Sequence, residues 1–186
     1  MTNTTEARAA MDMPLWKILS LIGLQASAFT LAGWFLWTLA SENEGAFATF
    51  ARWEIGYGIA LGGALILSSA ALAYAFPKLM EKLVRAQADT YPFLKDKLGI
   101  GPIIFLSLCA GIGEEALFRG GVQTLLGVYL PYPHPVLLAA CAFAVIHFAK
   151  PLNSGLIFAI GCLFGMIYWA TGSLLTVMIG HAVYDI

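Results

Sequence analysis

Residues 18–41, ILSLIGLQASAFTLAGWFLWTLAS, carry no charge over a length greater than the ~20 residues a helix needs to cross a ~30 Å hydrocarbon core. A second uncharged run, residues 55–76, is long enough to do the same. Both read as membrane spans. The first is too long for the apolar core of a signal peptide, and another span follows it closely. The reading is therefore a retained helix, despite a likeness to a cleavage site around Ala40 and Ser41. The composition agrees: of 186 residues 60% are hydrophobic and 11% charged, and the mean hydropathy is +0.80. An average globular domain carries roughly 25% charged residues. So apolar a chain is not intrinsically disordered, and a net charge of −1 without a basic cluster excludes a nucleic-acid-binding module. What remains is an all-α, polytopic transmembrane helical bundle.

Residues 77–98 turn polar, with Lys78, Lys82, Arg85, Lys95 and Lys97 set against Glu81, Asp89 and Asp96, and read as an interfacial helix plus loop. Excess Lys and Arg in short loops marks the cytoplasmic side. Arg8, Lys17 and this loop supply seven basic residues against Arg52 alone in the intervening loop, which predicts a cytoplasmic N-terminus. Beyond Gly99, Pro131, Pro133 and Pro135 form one break, Lys150-Pro151 a second and Thr171-Gly172-Ser173 a third. They divide the remainder into spans near 100–118, 135–149, 153–170 and 173–186. The piece 120–130 is left as a continuation, a re-entrant helix or a return crossing. The organisation expected is a disordered tail over 1–14, two spans and an interfacial loop over 15–98, and a core over 99–186 that forms one structural domain with them. Six to seven membrane helices and one polar cytoplasmic helix or loop result, in a multi-pass protein of a cell (inner) membrane. Cys109, Cys141 and Cys162 each sit in an apolar run and read as small buried hydrophobes.

A charge at the bilayer centre costs ~2.5 to 3.5 kcal/mol on insertion scales, so an ionisable residue inside a span is a functional hypothesis by default. This chain has Glu114, Glu115 and Arg119 in GIGEEALFRG, then His147, then His181 and Asp185. Glu115 and Arg119 stand at i and i+4, acid first, and can pair across one helical turn. Glu114, rotated about 100° away, is free to face a cavity. His181 and Asp185 are also four apart and share a face. His147 has Phe143 one turn below it, so its polar partner must come from another helix. Taken singly, each has a plain structural reading: an ion pair for Glu115 and Arg119, an interhelical hydrogen bond for a histidine, a solvated position for Asp185, an interfacial loop for His134. Taken together, two acids and two histidines on three spans are hard to explain as separate accidents.

The three motifs EExxxR, FxxxH and HxxxN/D, present here as Glu114-Glu115 to Arg119, Phe143 to His147 and His181 to Asp185, resemble those of the type II CAAX prenyl endopeptidases. That resemblance extends to the wider group of CAAX proteases and bacteriocin-processing enzymes, which are polytopic intramembrane proteases, and covers roughly residues 100–186. It implies that Glu114 and His147 activate a water for attack on a peptide carbonyl, that His181 and Asp185 bind or orient the oxyanion side, and that Glu115, Arg119 and Phe143 support the site. Carboxylate and imidazole groups suit proton transfer near neutral pH, and a ring N–H can stabilise an oxyanion. Asp185 departs from the Asn of many members: to donate it must be protonated, or it acts by fixing the tautomer of His181.

The expectation is no metal cofactor, with a divalent ion such as zinc on Glu114, His147 and His181 as the alternative. The expected partners are a peptide or membrane-protein substrate, prenylated or not, and the lipid bilayer, with no nucleic acid. Two other functions fit the same residues, a non-catalytic immunity or scaffold protein of this fold and a proton-coupled transporter. Because Glu114, His147, His181 and Asp185 fall late in their own predicted spans, they meet at one depth only if those helices run in the same direction or are adjusted by tilts and kinks.

Overall fold

The computed structural model describes residues 13–40, 45–90 and 98–186, with side chains described to residue 88 in the middle segment. The expected tail over 1–14 and the loop beyond Thr90 fall largely outside these residues. The described residues form helices without a strand: α1 (Leu15–Leu39), α2 (Arg52–Ala75), α3 (Pro77–Thr90), α4 (Ile100–Tyr129), α5 (His134–Ile146), α6 (Pro151–Thr171) and α7 (Leu174–Asp185). Four of them, α1, α2, α4 and α6, are long and apolar enough to cross a membrane, and α5 and α7 are shorter apolar helices. The protein is a helical membrane bundle.

Sequence punctuation accounts for the boundaries. Pro14 precedes α1, and Pro151 opens α6 at a position where a missing N–H costs nothing. Gly172, at φ 65°, closes α6 in the left-handed conformation that glycine adopts freely. The Ser173 hydroxyl then accepts from the Thr176 N–H and caps α7.

Close contacts fix the helix directions. Gly23 lies against Phe105, Gly113 against Ala26, and Gly33 against Ala116 and Gly121, so α1 and α4 run parallel. Gly58 meets Thr176 and Ile179, and Gly62 meets Gly180 and Val183, which makes α2 parallel to α7. The Gly58-xxx-Gly62 pair lets these two backbones approach closely, as small residues do in membrane interfaces. Gly111 packs on Met178 and Ala182 while Gly120 packs near Leu174, so α4 and α7 are antiparallel. Phe118 contacts Phe143 and Gln123 shares Gly165 with Val136, which sets α5 antiparallel to α4. Arg119 and Gln123 bond the carbonyls of Gly161 and Gly165, which sets α6 parallel to α4. The six apolar helices therefore alternate in direction. The starts of α1 and α4, the ends of α5 and α7, and the polar helix α3 lie at one end of the bundle. Asn153, at the start of α6, ties α3 there by donating to Leu83 O and Gln87 Oε1, each at 3.3 Å.

Two expectations change. Residues 120–130 are a continuation: α4 runs unbroken for 30 residues, with the π-helical segment Ala116–Gln123 in its middle. Glu114 consequently lies halfway along α4 rather than late in a span. The three helices need not run in the same direction, because fifteen residues back from Tyr129 and thirteen on from His134 are both about 20 Å at 1.5 Å per residue. The antiparallel α4 and α5 thus bring Glu114 and His147 to one depth. The cysteines also differ from expectation, since Cys141 is exposed on α5 and Cys109 and Cys162 are only half-buried. The bundle is too thin to bury every apolar side chain, and in a bilayer none of them has to be.

Candidate active site

Glu115 is the structural hub. Its side chain is completely buried, and its Oε1 accepts from Arg119 Nη1 at 3.0 Å and from His181 Nδ1 at 2.8 Å. Arg119 is equally buried. It donates through Nη2 to Gly161 O at 2.9 Å and lies 4.7 Å from the centre of the Phe143 ring. The π-helical pitch adds a residue per turn, which keeps Glu115, Arg119 and Gln123 in a row facing α6 and α7. The expected i to i+4 pair between Glu115 and Arg119 is present, and His181 joins it.

Both histidines are oriented through Nδ1. His147, which follows α5 directly, donates from Nδ1 to Phe143 O at 2.7 Å. Its ring meets Phe143 edge to face, and the His181 ring stacks on Phe164 at 5.3 Å. With each Nδ1 engaged by an oxygen acceptor, each ring turns its Nε2 to the other side. There they meet Glu114: Oε2 is 3.7 Å from His147 Nε2 and 3.9 Å from His181 Nε2. Asp185 Oδ2 approaches His181 Nε2 at 3.4 Å. Two imidazole nitrogens and two carboxylate oxygens thus converge from three helices. Glu114 also forms part of the wall of a recess of about 50 Å³ between α1 and α4.

All seven residues singled out in the sequence are brought together here: Glu114, His147, His181 and Asp185 in this cluster, with Glu115, Arg119 and Phe143 behind it. His134 stays apart at the opposite end of the bundle, where it begins α5 and bonds Pro131 O. Sequence reasoning left Asp185 either as a protonated donor or as the group that fixes the His181 tautomer; in the structure Glu115 occupies Nδ1 of His181 and Asp185 faces Nε2. The stacking partner Phe164 and the pair from Gln123 to Gly165 were also missed. The one available signal was the i, i+4 spacing of Gly161 and Gly165, which repeats that of Arg119 and Gln123.

Two imidazole Nε2 atoms and a carboxylate are donors of the type zinc takes. Among the described residues, however, no group of three or more such side chains is drawn together as a metal ion's ligands would be.

Fold and site define a polytopic membrane protein with a carboxylate–histidine centre buried among its helices. Comparison with known proteins makes this more specific. Residues 97–186, just under half of the chain, match the model of the "Type II CAAX prenyl endopeptidase Rce1-like" family. The chain is also similar to the uncharacterized protein YpbD of Bacillus subtilis (strain 168), 32% identical over 135 residues. That alignment covers 70% of this chain and 65% of the relative, so the chain spans less than two thirds of the relative's length. No solved structure matches.

Proposed function

We propose that the protein is an intramembrane endopeptidase that hydrolyses a peptide bond of a membrane-associated or lipidated substrate through a water activated by Glu114 and His147. The observation that carries this reading is that both imidazole Nε2 atoms face the same oxygen of Glu114. A water among them donates one hydrogen to Glu114 and the other to His147 Nε2, which aims its lone pair at the substrate carbonyl. Glu114 takes a proton as the oxygen attacks the carbonyl carbon, then passes it to the departing amine nitrogen as the C–N bond breaks. A proton on His181 Nε2, shared with Asp185, donates to the oxyanion. Glu115 keeps His181 turned for that task by holding Nδ1. The reaction so written needs no metal.

The orientation belongs to the same proposal. Lys17, Lys78, Lys82, Arg85 and Lys150 cluster at the end of the bundle where α5 and α7 finish, and basic excess marks the cytoplasmic face of a cell membrane. His147 and Asp185 then open towards the cytoplasm. Single-turnover cleavage of a candidate membrane peptide by purified protein, set beside pH-jump proton uptake in liposomes, tests the assignment. Cleavage without uptake is expected. Uptake without cleavage assigns a transporter, and the absence of both assigns a silent partner protein.

A further inference from the structure

Gln25 is a polar side chain in the middle of the apolar helix α1, ten residues from Leu15, and it is exposed. Among the described residues its amide has no hydrogen-bond partner. Hydrocarbon offers none either, so an amide at this depth is stable only when something else bonds it. Its position is not arbitrary. The neighbouring Ala26 packs directly on Gly113, which places α1 one residue from the catalytic acid, and Gln25, Phe29, Cys109 and Glu114 line one recess between α1 and α4.

We infer that Gln25 is a substrate-positioning residue, whose side-chain amide holds a backbone peptide unit of a substrate lying along the seam of α1 and α4, over the recess they share. This inference rests on the endopeptidase reading above. The chemistry is complementary: a side-chain amide offers one carbonyl acceptor and two N–H donors, and an extended peptide presents an N–H and a C=O along each edge. Bonding at Gln25 pays the exposed amide's desolvation and sets the chain alongside Glu114. It also gives α1, which lies outside the family match, a part in recognition.

The test uses the full chain carrying Glu114→Gln, so that binding is read without cleavage, in phosphatidylcholine vesicles. The probe is a single-span leucine–alanine peptide with a central Gly-Gly pair and a fluorescent end label. Adding Gln25→Leu is expected to weaken binding about tenfold, as loss of a buried amide's hydrogen bonds would, with no fall in melting temperature. Equal affinity, or no binding to either protein, overturns the inference whatever the native chain cleaves. Dependence on Gln25 with no cleavage by the native chain keeps the positioning role and removes the endopeptidase reading instead. Disulfide-linked pairs of Gln25→Cys chains formed in the membrane overturn it in another way, by showing that a second copy covers the amide.

Discussion

Among the described residues two carboxylates are almost completely buried, Glu54 at 1% exposure and Glu115 at 0%, and they are treated in opposite ways. Glu54 stands in the first turn of α2, where the helix dipole favours an acid. It accepts from the Thr49 hydroxyl at 2.5 Å, the Ala51 N–H at 2.6 Å and the Ser173 hydroxyl at 2.8 Å, all neutral donors. Both of its oxygens are engaged. Glu115 places one oxygen between an arginine and a histidine and leaves Oε2 buried without a partner. The first carboxylate is a fastener that joins the start of α2 to the turn between α6 and α7. The second is under tension, because a buried acceptor without a donor is retained only where something else needs the arrangement. Next to it stand Glu114 and the two imidazoles. The fully satisfied carboxylate thus joins two parts of the bundle, and the one with a free oxygen stands beside the groups proposed above to exchange protons.

The sharpest way to break this contrast is at Glu114. Glu114→Ala and His147→Ala should each lower single-turnover cleavage by about 10²- to 10⁴-fold, the worth of a positioned acid–base group, while the protein stays folded and extractable. Near-normal cleavage by purified Glu114→Ala protein would remove the proposed mechanism. Arg119→Ala strikes the support of the site and leaves Glu115 charged without its main partner, at ~3 to 5 kcal/mol. Its thermal unfolding in detergent should fall sharply, and lost activity at an unchanged melting point would move Arg119 into the chemistry. At the fastened end, Glu54→Gln should cost about 1 to 3 kcal/mol of stability by mismatching the Thr49, Ala51 and Ser173 donors, with the turnover of folded enzyme preserved. A lost turnover at full stability would collapse the distinction between the two carboxylates.

The smallest effect is expected at Asp185. Since Asp185 faces Nε2 of His181, one proton must lie between them for either to donate to an oxyanion. An aspartic acid that donates loses its proton as pH rises, whereas an amide does not titrate. Asp185→Asn should therefore retain substantial activity and extend it to higher pH. Reduced activity at every pH would show that an ionised acceptor is required there, and superimposable profiles would leave Asp185 without a catalytic role.

What could be read from sequence alone follows the range of the interactions involved. The spans of α1 and α2 show as uncharged runs, and the pairing of Glu115 with Arg119 shows as i, i+4 spacing, because both are properties of one helix. A polar partner for His147 was expected from another helix, whereas its hydrogen bond goes to Phe143 O one turn back, with Glu114 3.7 Å from the other ring nitrogen. The contact between Glu115 and His181 was not legible, since it depends on α7 packing antiparallel to α4 at Gly111. The continuity of α4 was hidden for a local reason: Arg119, Gly120 and Gly121 look like the end of a span. In the structure the arginine is neutralised and the glycines admit α1 and Phe47. The network around Glu54 could not be read from sequence, because Ser173, one of its donors, lies 119 residues away.

The shortness of α5 has a consequence for the solvent rather than for the protein. Thirteen residues reach only about 20 Å, against a hydrocarbon thickness near 30 Å. The turn from His147 to Lys150 therefore lies below the level at which the surrounding lipids would otherwise end. Hydrophobic mismatch of this kind draws the bilayer thinner or lets polar residues reach up to the interface. A dimple in the membrane above His147 would bring bulk water close to a site set among apolar helices, so that hydrolysis would have its second reactant without a channel through the protein.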